Sequence, residues 1–186
     1  MSLRVSLFAA LETYRPEDSV EAQHLERMQA LGSGLGDPFR RDHFVPGHFT
    51  ASAFVLSPAR DALLLVHHAK LERWLQPGGH VEASDATMLA AARREVLEET
   101  GLDQLVCSVF QPFDLDVHEI PGRAGEPEHE HFDVRFLFRA AREEHRRSEE
   151  SLDVRWFRLE ELHEAPFDDS LMRAVRKLKR IAEISV

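Results

Sequence analysis

Three glutamates, Glu95, Glu98 and Glu99, lie in the stretch RREVLEETGL, which reads as the end of an amphipathic helix. At about 100° of rotation per residue they fall within a wedge of roughly 100°. Leu89, Ala92 and Val96 cluster on an adjoining face suited to a core. Like charges at this spacing weaken a helix by about a few tenths of a kcal/mol. Their place near its C-terminal end also sets them against the helix dipole. A bound divalent cation reverses both effects. Carboxylate oxygens suit Mg²⁺, which combines a few of them with waters and substrate phosphates. Such an ion polarises a phosphoryl oxygen and acidifies a bound water. Taken alone, the same acids also describe a solvated helix face. Their neighbours favour the metal reading. Pro77-Gly78-Gly79 forces a bend where backbone carbonyls can approach a cation without side-chain obstruction, and Gly101 stops the helix straight after the acids.

A second constellation lies in EHEHFDVRFLF, which alternates strictly. Phe132, Val134, Phe136 and Phe138 share one strand face, and His129, His131, Asp133 and Arg135 share the other. His118, on the preceding strand candidate, is placed to face them across a ladder. The polar row made by His129, His131 and Asp133 suits substrate binding, phosphate contact or another metal, and an exposed strand face is the plain alternative. Glu82 in GGHVE is an extra acid near the bend. Glu149 and Glu150, just before SLDVRWF, are candidates for a general base or for solvated loop residues. Trp74 and Trp156 read as apolar anchors rather than base-stacking platforms. Cys107, in the apolar stretch LVCSVF, reads as a small core residue rather than a nucleophile.

These residues need a scaffold, and the chain's periodicity supplies one. Val5, Phe8 and Leu11 recur at helical spacing before Pro16, and Val20, Leu25, Met28 and Leu31 form a second set ending at Gly32. FTASAFVL alternates, a turn follows at Ser57-Pro58, and ALLLVHH reads as a buried strand. The acidic helix is expected over residues 86–100, capped by Ser84 or Asp85. Further strands are expected at 105–110, 115–120, 131–140 and 154–158, a short helical turn at 160–163 and a closing helix at 170–184. Strands around one central and one late helix point to a mixed α/β sandwich of the α+β kind rather than regular βαβ alternation. Residues 1–44 form an N-terminal helical extension and residues 45–186 the main domain.

Composition narrows the classes of partner. Hydrophobic residues make up 43% and charged residues 30%, an ordinary globular balance. The formal net charge is −10, and the only basic runs are short, so no nucleic-acid polymer is expected as partner. An acidic protein that handles phosphates is expected to use metal ions as bridges. No run is long and apolar enough for a membrane span, and no leader pattern is visible. With a single cysteine no internal disulfide can form, and a cytoplasmic setting is expected. A homodimer is compatible with the sequence.

Arg94-Glu95-Val96-Leu97-Glu98-Glu99-Thr100-Gly101-Leu102 resembles the second half of the Nudix box, and Gly78-Gly79 with the acid Asp85 resembles the first. Asp85 stands where the family carries a glutamate, and the loop after it is one residue longer. The resemblance implies a Nudix-like α/β/α sandwich with a mixed sheet. It implies a Mg²⁺-dependent hydrolase, with Mn²⁺ as a substitute ion, that cleaves the diphosphate linkage of a small anionic, nucleoside-diphosphate-type substrate. It assigns Glu95, Glu98 and Glu99 as metal ligands, a carbonyl at Gly78 or Gly79 to the metal shell, and Arg94 to holding a carboxylate. Two other readings share the fold: a ligand-binding regulatory module, and a prenyl-diphosphate isomerase, for which Cys107 is poorly placed.

Overall fold

Hydrophobic runs that alternate or repeat every three to four residues become the elements of the computed structural model, which describes residues 2–107, 109–123, 125–149, 151–163 and 167–184. Among them are four helices and eight strands. The helices are α1 (Leu3–Thr13), α2 (Ser19–Ser33), α3 (Met88–Thr100) and α4 (Asp169–Ile184). The strands are β1 (Gly47–Leu56), β2 (Ala62–His68), β3 (Arg73–Leu75), β4 (Gly78–His80), β5 (Leu105–Val106), β6 (Asp114–Ile120), β7 (His129–Ala140) and β8 (Ser151–Arg158). The hydrogen-bonded order is β3-β2-β1-β7-β5, with β4 on β1, β6 on β7 and β8 on β2. The pairs β1/β2, β1/β4, β2/β3, β2/β8, β5/β7 and β6/β7 are antiparallel. β1 and β7 advance together: Glu130 N–H donates to the carbonyl of Pro46, and further along Thr50 and Ser52 donate to Asp133. The sheet is therefore mixed, and the fold is α+β, as the sequence indicates.

The chain forms two compact units, and β1, α3 and β7 each pass from one into the other. The first unit comprises Met1–Ser52, Gly78–Arg93 and Val109–Phe136. One face of its strands is apolar, with Phe49, Ala51, Leu115, Phe132 and Val134 buried. The other face is polar and also largely buried. It carries His80 on β4, then His48, Thr50 and Ser52 on β1. His129, His131, Asp133 and Arg135 follow on β7, with Asp114, Asp116 and His118 on β6. The N-terminal helices belong to this unit. His24 on α2 donates from Nδ1 to the carbonyl of Leu115 at 3.0 Å, and the Tyr14 hydroxyl meets Glu21 and the carbonyl of Phe113.

The second unit comprises Ala53–Pro77, Arg94–Ser108 and Leu137–Val186. β2 is buried over most of its length, and β8 pairs with it from Ala62↔Arg158 to His68↔Ser151. α4 buries Leu171, Met172, Ala174, Val175 and Leu178.

Several expected boundaries move. β6, β7 and β8 begin at Asp114, His129 and Ser151, ahead of the expected 115, 131 and 154. Among the described residues, the strand expected at 105–110 keeps only Leu105 and Val106, paired with Ala140 and Arg139, and Phe110 is 75% exposed. Apolar content alone does not hold a strand once its ladder ends. The acidic helix begins at Met88, and its cap is Thr87 rather than Ser84 or Asp85. Thr87 Oγ1 accepts from Ala90 N–H at 3.1 Å, and its carbonyl accepts from Ala91 N–H at 3.1 Å. Asp85 instead closes a turn: its N–H donates to the Glu82 carbonyl at 3.0 Å, and its carboxylate accepts from Glu82 N–H at 2.8 Å.

Candidate active site

α3 carries the acidic group. Ala92 and Val96 are fully buried and fix the roll of the helix, while Leu89 is half-buried. The Arg94 guanidinium reaches along the helix, and its Nη1 donates to Glu95 Oε1 and to Glu98 Oε2, each at 2.9 Å. Bonded to one nitrogen, the two oxygens lie within twice that distance of each other. The Glu95 side chain is 12% exposed and that of Glu98 is 54% exposed, so one is largely enclosed and the other open to solvent. Glu99 is half-buried. A hard, oxygen-only donor set on one helix face, steadied by a guanidinium, fits a divalent cation such as Mg²⁺.

The helix ends directly after these acids. Gly101 adopts φ +70°, its N–H donates to the Leu97 carbonyl, and the Thr100 carbonyl accepts from Arg146 N–H at 2.8 Å. In the first unit, β4 seats Gly78 opposite Ser52 and Gly79 opposite Ala51. A Cβ on Gly78 would fall 2.3 Å from Ser52 Cβ, so only glycine allows β4 this close to β1.

The polar row read from the sequence resolves into two clusters. The first is ionic. Arg135 is buried and donates to Asp133 at 3.0 Å, Asp114 at 3.1 Å and Asp116 at 3.1 Å. Burial alone lowers the guanidinium's pKa, but the charges of Asp116, Asp114 and Asp133 more than reverse this, and it is raised. Asp133 also accepts from Thr50 Oγ1 at 3.1 Å and Ser52 Oγ at 2.6 Å. The second cluster is imidazole. His129 and His131 lie against His48, with ring centroids 5.0 and 4.8 Å away, and His80 lies 5.1 Å from His48. His118 contacts His131 and donates to Asp116 at 2.9 Å. Burial first, then the charge of neighbouring imidazoles, holds His48 down to about 4 and His131 to about 2. Burial likewise lowers His80.

Among the described residues, the one set of three metal-capable groups with ligand atoms within 4.8 Å of one another is His48, His80 and His131. Sequence reading found His131 but missed His48 and His80. Their sole signal is the pairing Thr50↔His80, which puts His80 beside the face of β1 that also carries His48.

Other candidates are placed as follows. Glu82 and Glu149 are exposed, and Glu150 lies outside the described residues. Cys107 is half-buried. Trp74 is half-buried, stacks on His67 at 4.9 Å and lies under the Arg155 guanidinium at 5.3 Å. Trp156 is also half-buried, and its Nε1–H donates to the Glu143 carbonyl at 2.9 Å.

The pattern of the NUDIX domain matches residues 46–178 of this chain. No curated protein matches it. A NUDIX-family hydrolase from Clostridium perfringens is similar in structure, with a TM-score of 0.54 and 27% identity, over 72% of this chain and 97% of that one. A MutT NUDIX hydrolase from Burkholderia pseudomallei matches with a TM-score of 0.53 and 22% identity, over 69% and 95%. The E. coli dihydroneopterin triphosphate pyrophosphohydrolase matches with a TM-score of 0.52 and 17% identity, over 71% and 92%. With the box helix as described and a match across most of its length, this chain belongs to the NUDIX family and is a Nudix-type pyrophosphohydrolase.

Proposed function

We propose that the enzyme is Mg²⁺-dependent and cleaves the diphosphate linkage of a small, nucleoside-diphosphate-type substrate by attack of water on phosphorus. Glu95, Glu98 and Glu99 would hold the ion. When bound, the ion neutralises phosphoryl charge and acidifies water. One of the three carboxylates accepts the proton of the attacking water. Arg94 is a positioning residue, keeping Glu95 and Glu98 turned the same way. The catalytic domain occupies residues 45–186, with residues 1–44 as an extension. The observation that carries the reading is the single Arg94 nitrogen shared by Glu95 and Glu98 on the box helix. A relative in structure named for cleaving dihydroneopterin triphosphate supports the substrate class.

The test is hydrolysis of a panel of nucleoside diphosphate derivatives, dinucleoside polyphosphates and nucleoside triphosphates by wild type, Glu98→Gln and Glu99→Gln. Each variant is expected to lose roughly two to four orders of magnitude in Mg²⁺-dependent kcat on the preferred substrate. Unchanged turnover in both would reject the ligand assignment.

A further inference from the structure

We propose that His48, His80 and His131 form a second metal site, one that takes a zinc-type divalent cation rather than Mg²⁺. The three side chains come from three strands, β1, β4 and β7, and one ligand atom from each lies within 4.8 Å of the others. A tetrahedral zinc centre with Zn–N of about 2.0–2.1 Å holds its nitrogens roughly 3.3–3.4 Å apart. Metal binding would require the rings to rotate to close the difference.

His48 supplies the independent sign. It is 1% exposed, and its Nδ1 lies 3.3 Å from the His43 carbonyl. A carbonyl only accepts, so Nδ1 carries the proton and Nε2 carries the lone pair. That Nε2 is buried and has no hydrogen-bond partner. A buried imidazole held by an Nδ1–H···O=C bond, with its other nitrogen left as a lone pair, is the arrangement of a metal-ligating histidine.

The surroundings favour the same ion class. His129 and His118 pack on this trio with their own Nδ1 atoms engaged, at the Pro127 carbonyl (2.8 Å) and at Asp116 (2.9 Å). An all-imidazole donor set selects Zn²⁺, Co²⁺, Ni²⁺ or Cu²⁺ over Mg²⁺ and Ca²⁺. Three protein ligands leave a fourth position for water or an anionic oxygen. The site shares no residue with the glutamates of α3, so it stands or falls apart from the hydrolase mechanism.

The experiment uses the full chain, stripped of metal by chelator and dialysis. Zn²⁺ is titrated calorimetrically in the presence of excess Mg²⁺, and Co²⁺ binding is followed by visible absorption. Wild type is expected to take about one equivalent of Zn²⁺, to resist Mg²⁺ competition, and to give the intense d–d bands of four-coordinate Co²⁺. The Glu98→Gln/Glu99→Gln double variant is expected to keep that equivalent. His80→Asn is expected to weaken it by at least about tenfold. Because a histidine variant can lose its fold, ¹⁵N correlation spectra of the wild-type imidazoles give a variant-free readout, in which three ring nitrogens shift on adding Zn²⁺. No Zn²⁺ equivalent in wild type, an equivalent that vanishes in the glutamate variant, or imidazole spectra unmoved by Zn²⁺ would each overturn the proposal.

Discussion

Arg94 and Arg135 are both arginines among carboxylates, and burial gives them opposite jobs. Arg94 pairs with Glu98, which is largely open to water, and exposed pairs contribute about 0–1 kcal/mol. Its proposed role is orientation. Arg94→Lys keeps the charge but replaces a planar nitrogen, whose two N–H bonds have fixed directions, with a freely rotating ammonium that holds the two carboxylates less rigidly. The Mg²⁺ concentration for half-maximal hydrolysis is expected to rise roughly 10–100-fold, with the melting temperature almost unmoved. A Mg²⁺ titration of turnover beside a thermal melt checks this, and an unchanged titration would remove Arg94 from the positioning role. Arg135 is sealed with Asp114, Asp116 and Asp133. Arg135→Met strands three buried carboxylates and is expected to cost about 3–5 kcal/mol in a urea melt. Asp133 shows why the sequence could not assign its own polar row. Alternation places it on the face of His129 and His131, but only the fold shows that Thr50, Ser52 and Arg135 occupy its carboxylate.

Elements set by local periodicity were legible. β2 falls where ALLLVHH was read, and α4 begins one residue before its expected start. The acidic wedge was legible for the same reason, because i, i+3 and i+4 positions meet on any helix. The start of α3 was not, since Ser84, Asp85 and Thr87 all suit a cap and only the turn between Glu82 and Asp85 decides among them. The imidazole cluster was the least visible, because it is assembled by strand register from residues far apart in sequence. Two glycines at element junctions test how firmly these pieces are set. Gly101→Ala forces a side chain to φ +70° and against Arg146, and is expected to cost about 1–2 kcal/mol. Gly78→Ala meets Ser52 Cα at 2.7 Å, which is backbone and cannot swing aside. The expected loss is about 1–3 kcal/mol. Faster amide exchange at Gly79 and His80 should show β4 parting from β1, and unchanged exchange would mean the strand absorbs the methyl elsewhere.

The chain as a whole carries a formal charge of −10, and no described helix is long and apolar enough to cross a membrane. Net charge is a sum over residues, so it is fully legible without a fold, and it makes a prediction that no single site makes. An acidic protein repels an anionic diphosphate at long range, and attraction is restored only where cations sit between enzyme and substrate. Screening by monovalent salt weakens that repulsion, with a Debye length near 10 Å at about 0.1 M. At saturating Mg²⁺, kcat/KM is therefore expected to stay level or rise as KCl increases from about 10 to about 150 mM. An enzyme with a basic funnel would show the opposite slope. A steep fall with salt would place a cationic field at the substrate's approach, outweighing the net charge. Arg94 and Arg135 are spent on carboxylates: Arg94 on Glu95 and Glu98, and Arg135 on its three aspartates. Such pairs leave little positive potential to steer a phosphate, which is the part the proposed mechanism gives to the metal.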